Sequence, residues 1–445
     1  MTYKEARVYL DNVSKYGSVL GLGPIRKLLC ELGNPQDDLQ FIHIAGTNGK
    51  GSVLAYTSAI LQKAGYRIGR YISPTVVSYL ERIQVDTHWI SEDAFARLAS
   101  MVRKAIARME AAGETLPTVF EIETAIAFLY FREQHCDLVV LECGLGGKTD
   151  ATNIIENTLL AVFTSISRDH LGILGNTLEE IARVKSGIIK PGCAVVSAGQ
   201  RPEVTRILTE RADQLHCRFY PADSRQAEIL AEDYTGQTFS YPFPENRGRD
   251  TDTAAMSFHC SLAGRHQVDN AVTAIESIYA LKTLGYSIPL AAIRQGLTSV
   301  VWHGRLTCLM KKPLFFIDGA HNEDASRRLR ESLETYFPGK RLIYIMGVFR
   351  DKEYEKIAAV MGALAYSVYT VDLPDAGRTL PADELAAVMR RSCPPDTSVR
   401  SEESIPMAVE HALKEADADD IILAFGSLSY LGRITEILDE YLVKK

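Results

Sequence analysis

The chain has 445 residues, 46% of them hydrophobic, enough for two domains that each bury a full core. A net charge of −7 with Lys and Arg scattered along the chain gives no basic footprint for DNA or RNA, so nucleic acid is excluded as a partner. Eight cysteines without a C-x-x-C pair read as buried thiols, and the absence of a signal pattern or a long apolar run predicts a cytoplasmic protein with no membrane partner.

Short β-branched runs alternate with helical stretches. Strands are expected at 41–45, 67–72, 138–143, 159–166 and 193–198, with amphipathic helices such as 52–64 and 92–112 between them. From 218 to 262 the texture turns polar and suits short antiparallel strands, before a helix at 267–284. Residues 296–307 read as an inter-domain connection, after which FFIDGA, RLIYIMGV, YSVYTVDL and IILAFGS begin a second βα series. The expected fold is α/β. A P-loop ATPase-type domain, 1–297, has a mostly parallel sheet plus a small antiparallel segment, and a Rossmann-like α/β domain follows at 298–445.

The first strand runs into GTNGKGS, residues 46–52. A strand, a glycine-rich turn and a helix aim backbone N–H groups and the positive end of a helix dipole at one point, where anions bind. Gly46 and Gly49 permit close backbone approach, Lys50 can reach phosphate oxygens, and Ser52 can complete a Mg²⁺ shell. Gly51 stands where the standard motif has its hydroxyl residue. Glu142, at the carboxyl end of an apolar strand, can hold Mg²⁺ opposite the phosphates or serve as a salt-bridged cap. Asp169 and His170 fall at another strand end, where a histidine is either a ligand or a satisfied structural group. Lys185, mid-helix, reads on its own as a solvated surface charge.

The ordered set HIAGTNGKGS, ISPTVVSYLERI, TVFEIETAIAF, LECGLGGKTDATN, SRDHLGILGNTLEEIARVKSGIIKPG, GRHQVDNAVTA, WHGRL, DGAHN, MGVFRDKE and FGSLSYLG resembles the folylpolyglutamate synthase/dihydrofolate synthase family, within the Mur-ligase-like ATP-dependent amide ligases. The resemblance spans about residues 20–433, and GTNGKGS matches that family's own form of the loop. It implies ATP and two Mg²⁺ ions as cofactors. Residues 46–52 (Gly46, Thr47, Asn48, Gly49, Lys50, Gly51, Ser52) would bind ATP together with Asn270 near the adenine, Arg305 on the phosphates, and Asp318 and His321 from the second domain. Ser52, Ser73 and Glu142 would hold one Mg²⁺. His170, with Lys185 as a carbamate, would hold the other. Lys50, His170 and Lys185 are the implied catalytic set.

On the substrate side the resemblance points to segments 20–34 and 117–123, with Phe120, Glu121 and Glu123, and to Arg82. It implies a monomer that joins L-glutamate to a reduced folate and to dihydropteroate through an acyl phosphate. Thr75 and His303 depart from the family pattern, where histidine and proline are frequent. Two other readings compete. A peptidoglycan Mur ligase would usually carry a further N-terminal domain ahead of the loop. A regulatory P-loop NTPase would leave the second α/β domain unexplained and should carry an N-K-x-D motif, which is absent.

Overall fold

The computed structural model describes residues 1–14, 21–169, 172, 174–243 and 255–444. Three sheets carry the fold. The first has eight strands: β1 (Phe41–Ala45), β2 (Ile68–Tyr71), β3 (Ile83–Val85), β4 (His88–Trp89), β5 (Leu138–Glu142), β6 (Thr158–Phe163), β7 (Ala194–Ala198) and β8 (Phe219–Ala222). Their order is β4-β3-β2-β5-β1-β6-β7-β8, parallel except for the β2–β3 and β3–β4 pairs. β1 lies between β5 and β6, so chain connections leave its carboxyl end in opposite directions and open a crevice there. The phosphate loop follows β1 directly.

The fully buried β1 and β5 read as continuous apolar runs because helices cover both faces of the sheet. On one face pack the helices Lys50–Lys63, His266–Thr283 and Leu290–Ser299; on the other lie Glu92–Ala111 and Val119–Glu133. Helix Lys50–Lys63 begins two residues earlier than the sequence suggests. It is also buried on every side from Gly51 to Leu61 rather than amphipathic, being enclosed by the sheet and two further helices.

The polar region divides in two. Phe219–Ala222 closes the edge of the large sheet, while β9 (Glu228–Asp233), β10 (Gly236–Pro242) and β11 (Ala255–Cys260) make a separate antiparallel sheet. The expected connection at 296–307 is shorter than its texture implied. Its first four residues end the helix Leu290–Ser299, leaving 300–306 to cross to the second half.

The second half holds a six-stranded sheet: β12 (Thr307–Lys311), β13 (Leu314–Ile317), β14 (Leu342–Met346), β15 (Ala365–Thr370), β16 (Ser398–Ser401) and β17 (Ile421–Phe425). The order is β12-β13-β17-β14-β15-β16, and only the β12–β13 pair is antiparallel. β12 and β16 have too little apolar character to stand out in the sequence. The halves also meet through the β9–β10 turn, where the Tyr234 ring lies 5.7 Å from that of Phe316 and 5.8 Å from that of Phe337 in the second core. Five of the eight thiols are buried as expected, but Cys30 is exposed and Cys308 and Cys393 are only half-buried. No described helix is long and apolar enough to cross a membrane.

Helix Leu290–Ser299 approaches helix Lys50–Lys63 so closely that a Cβ at Gly296 would lie 2.5 Å from the Ile60 Cα. Gly296→Ala should therefore cost about 1–3 kcal/mol through forced separation of the helices, read as a lower midpoint of urea unfolding.

Candidate active site

One cleft between the halves gathers most of the sequence-predicted residues. It is lined by Thr47 to Ser52, Ser73, Glu142, Asp169 and Asn270 from the first half and by Arg305, Asp318 and His321 from the crossing and the second half. The phosphate loop is shaped from below by the segment after β6. Thr47 and Asn48 both donate their N–H groups to Ser165 O, at 2.8 and 3.3 Å, and Thr47 Oγ1 donates to Ser167 O at 3.0 Å. Those two amides are thus taken by the protein. The anion-facing donors are left to the start of helix Lys50–Lys63, which Gly49 opens with a left-handed φ of 90°.

Gly51 has a steric explanation. A Cβ there would stand 2.9 Å from the indole Nε1 of Trp302, which the 300–306 crossing lays against the first turn of the helix. The hydroxyl is displaced to Ser52, whose Oγ is fully buried and has no hydrogen-bond partner. Such an orphan calls for a ligand.

The charges are unbalanced. Lys50 Nζ donates to Gly46 O and Thr47 O, each at 3.3 Å, and lies 3.9 Å from Glu142 Oε1. Lys185 is the last residue of helix Leu178–Lys185, but it is buried, not solvated, and its Nζ donates to the same Gly46 O at 2.8 Å. The glycines of the loop after β5 let the helix end come this close, since a Cβ at Gly147 would strike Lys185 O at 2.8 Å. Burial, reinforced by the Lys50 charge, lowers the Lys185 pKa to about 8. Burial raises the Glu142 carboxyl, with Lys50 and Arg305 opposing.

In the second half Asp318 accepts from Leu306 N and Ala320 N, both at 2.8 Å, fixing the turn after β13, and burial raises its pKa against the pull of Arg305. His321 Nδ1 donates to Gly319 O at 2.8 Å, and burial, then Lys352, holds its pKa down to about 4, so the ring is neutral with Nε2 as an acceptor. Asn270 Nδ2 donates to Gln267 Oε1 at 2.9 Å.

Mg²⁺ takes one or two carboxylates and completes its shell with phosphate and water oxygens. Ser52, Ser73 and the single carboxylate of Glu142 fit that donor set, and among the described residues no cluster of three acidic, His or Cys side chains forms an all-protein cage. His170 lies outside the described residues.

The residues read as folate-binding sit differently. Phe120 abuts the cleft floor, close enough that a Cβ on Gly144 would meet its ring at 2.6 Å. Glu121 is withdrawn from any ligand, because its carboxylate accepts from Thr118 N at 2.7 Å and from Ile25 N at 3.1 Å and so caps one helix while pinning another. Glu123 is likewise engaged internally, by Arg82 and the Tyr79 hydroxyl. Sequence reasoning did not single out Trp302, His266, Gln267, Arg328 or Leu428, all of which line the cleft. For Trp302 a signal existed, since it opens the quoted WHGRL.

Comparison with known proteins decides the family. Residues 44–278 match the Mur ligase middle domain, and residues 304–428 match the Mur ligase, glutamate ligase domain. The dihydrofolate synthase/folylpolyglutamate synthase of Bacillus subtilis (strain 168) is 33% identical, over 98% of this chain and 99% of its own. The chain belongs to the folylpolyglutamate and dihydrofolate synthase family. Its fold follows that of the synthase family throughout. The Mycobacterium tuberculosis folylpolyglutamate synthase complexed with ADP and AMPPCP superposes with a TM-score of 0.86 at 29% identity, over 98% of each chain. Escherichia coli FolC in complex with DHPP and ADP gives 0.84 at 26%, over 99% of each. A family member of this kind is a ligase.

Between pH 8 and 10.5 the unfolded chain holds a proton at Lys185 that the folded chain has released, so wild-type stability rises with pH through that window. Lys185→Met should lack the rise, and the stability difference between the two proteins should change by up to about 3 kcal/mol across the window, measured by urea unfolding in CO₂-free buffer.

Proposed function

We propose that the protein is an ATP-dependent, ADP-forming ligase that adds L-glutamate to the carboxylate of a reduced folate, and also to dihydropteroate. The observation that carries the reading is that a phosphate loop and a second-half loop bearing Asp318 and His321 line one cleft in a chain of this family. The assignment of residues 1–297 to ATP and 298–445 to glutamate follows, with the division best drawn at the 300–306 crossing.

A carboxylate is a poor electrophile, so it must be activated before an amine can displace anything from it. Attack of the folate carboxylate on the γ-phosphate gives an acyl phosphate and ADP. The glutamate amine then adds to the acyl carbon, and phosphate departs from the tetrahedral intermediate. Lys50 would counter the charge that grows on the transferring phosphoryl group, and Arg305 would reach the phosphates from the crossing. Neutral His321, with its Nε2 acceptor in the cleft, would accept a hydrogen bond from the amine as it adds and so orient it, and the amine proton would leave to solvent or phosphate. Asn270 would orient the adenine. Closure of both halves keeps water from the acyl phosphate.

Ser52, Ser73 and Glu142 would hold one Mg²⁺, and His170 with Lys185 as a carbamate a second; the ions would neutralise phosphate charge. A Lys185 pKa of about 8 favours the carbamate, because only the neutral amine attacks CO₂. We assign Phe120 to contact with the pteridine-bearing arm, and give Arg82, Glu121 and Glu123 the task of holding the wall behind it. The enzyme would work as a cytoplasmic monomer.

Purified protein given ATP, Mg²⁺ and L-glutamate should form dihydrofolate from dihydropteroate and extend tetrahydrofolate by one residue, while Lys50→Ala should fall by about 10³-fold or more in kcat with unchanged circular dichroism. Product from tetrahydrofolate alone would restrict the activity to polyglutamate extension; product from neither would overturn the reading. Lys185→Ala should lose activity and regain part of it in added formate or acetate, which supplies the missing carboxylate oxygens. Failure of rescue, with an unmodified lysine found by mass spectrometry of the native wild type, would remove the carbamate.

A further inference from the structure

A side chain of the phosphate loop itself belongs to the interface between the halves. Asn48 Nδ2 donates to Asp324 Oδ2 at 2.9 Å, and Asn322 Nδ2 donates back to Asn48 Oδ1 at 3.1 Å. Asn322 is 5% exposed. Its Oδ1 accepts from Ala325 N at 2.9 Å and caps the helix Glu323–Tyr336, while its Nδ2 also reaches Asp169 Oδ2 at 3.4 Å. Asp169 in turn accepts from Lys352 Nζ at 3.1 Å. The contact is directional: Asn48 must donate to a carboxylate and accept from an amide at once, which neither Asp nor an apolar residue of its size can do. Because the Thr47 and Asn48 amides are fixed on Ser165 O, the position of this side chain is set by the loop's own conformation. Asn322 is one residue from His321 and four from Asp318, so whatever holds Asn48 against it also holds those two groups over the loop.

We propose that Asn48, Asn322 and Asp324 form a latch through which the conformation of the phosphate loop sets closure of the second half, and that the strength of this latch decides how much activated carboxylate is lost to water. The second clause rests on the ligase reading; the first does not. Asn48 acts here as a positioning residue, through the loop that carries Asp318 and His321.

Two readouts test it on the full-length chain. Small-angle X-ray scattering, titrated with Mg²⁺ and a non-hydrolysable ATP analogue, reports compaction without any acceptor substrate. The ratio of ADP formed to glutamate joined reports leakage. Asn48→Asp opposes two carboxylates, and should raise the analogue concentration needed for compaction by about tenfold and the ADP ratio severalfold above one. Asn48→Ser, which removes the amide without adding charge, should fall between. Asn48→Asp combined with Asp324→Asn restores a donor facing an acceptor and should recover both readouts, a rescue that loss of packing alone would not give. Compaction of Asn48→Asp at the wild-type concentration, or a double variant as defective as the single, would overturn the latch. Absence of product from the wild type would defeat the ligase reading while the scattering result still judged the latch.

Discussion

Two lysine side chains converge on one carbonyl oxygen. Gly46 O accepts from both Lys185, at 2.8 Å, and Lys50, at 3.3 Å, and the carboxyl 3.9 Å from Lys50, that of Glu142, is itself pushed toward its neutral form by burial. Two positive charges this close in a partly desolvated place are disfavoured, so Lys185 gives up its proton readily while Lys50 keeps the charge that faces an anion. The architecture around the loop serves to maintain that tension. The Ser165 carbonyl takes two loop amides, the glycines of the β5 loop admit the end of the Lys185 helix, and the buried Ser52 hydroxyl waits without a partner.

Why a second half is needed follows from the same imbalance. A site open to a polyphosphate is equally open to water, and the acyl phosphate proposed above would survive only if water is kept out. The crossing at 300–306 brings Trp302 against the loop helix, and the turn after β13 brings His321 and Asp318 over the opening. Tyr234 also packs against the Phe316–Phe337 ring pair, so the halves are joined at an apolar contact as well as at the polar one of Asn48.

Much of this was legible in the sequence because the features concerned are local. The strand–loop–helix at 41–63, the parallel strands that carry Glu142 and Asp318, and the order of elements follow from short apolar runs and glycines. What was not legible depends on distant partners. Lys185 has the local pattern of a surface residue, and only the close approach of the β5 loop buries it. Glu121 and Glu123 sit beside apolar positions as ligand-binding carboxylates would, but their partners, Ile25 and Arg82, come from elsewhere in the chain. Likewise the helix Lys50–Lys63 is buried all round because helices more than 200 residues later cover it.

The packing of Trp302 on Gly51 couples the loop to the inter-domain crossing. A Cβ at the glycine would stand 2.9 Å from the indole Nε1, so a side chain there requires the indole to shift. Two positions far apart in the chain are therefore sterically coupled, and returning the hydroxyl to the position beside Lys50 requires the crossing that carries Trp302 to adjust. The glycine after the lysine is thus fitted to the way the second half is attached.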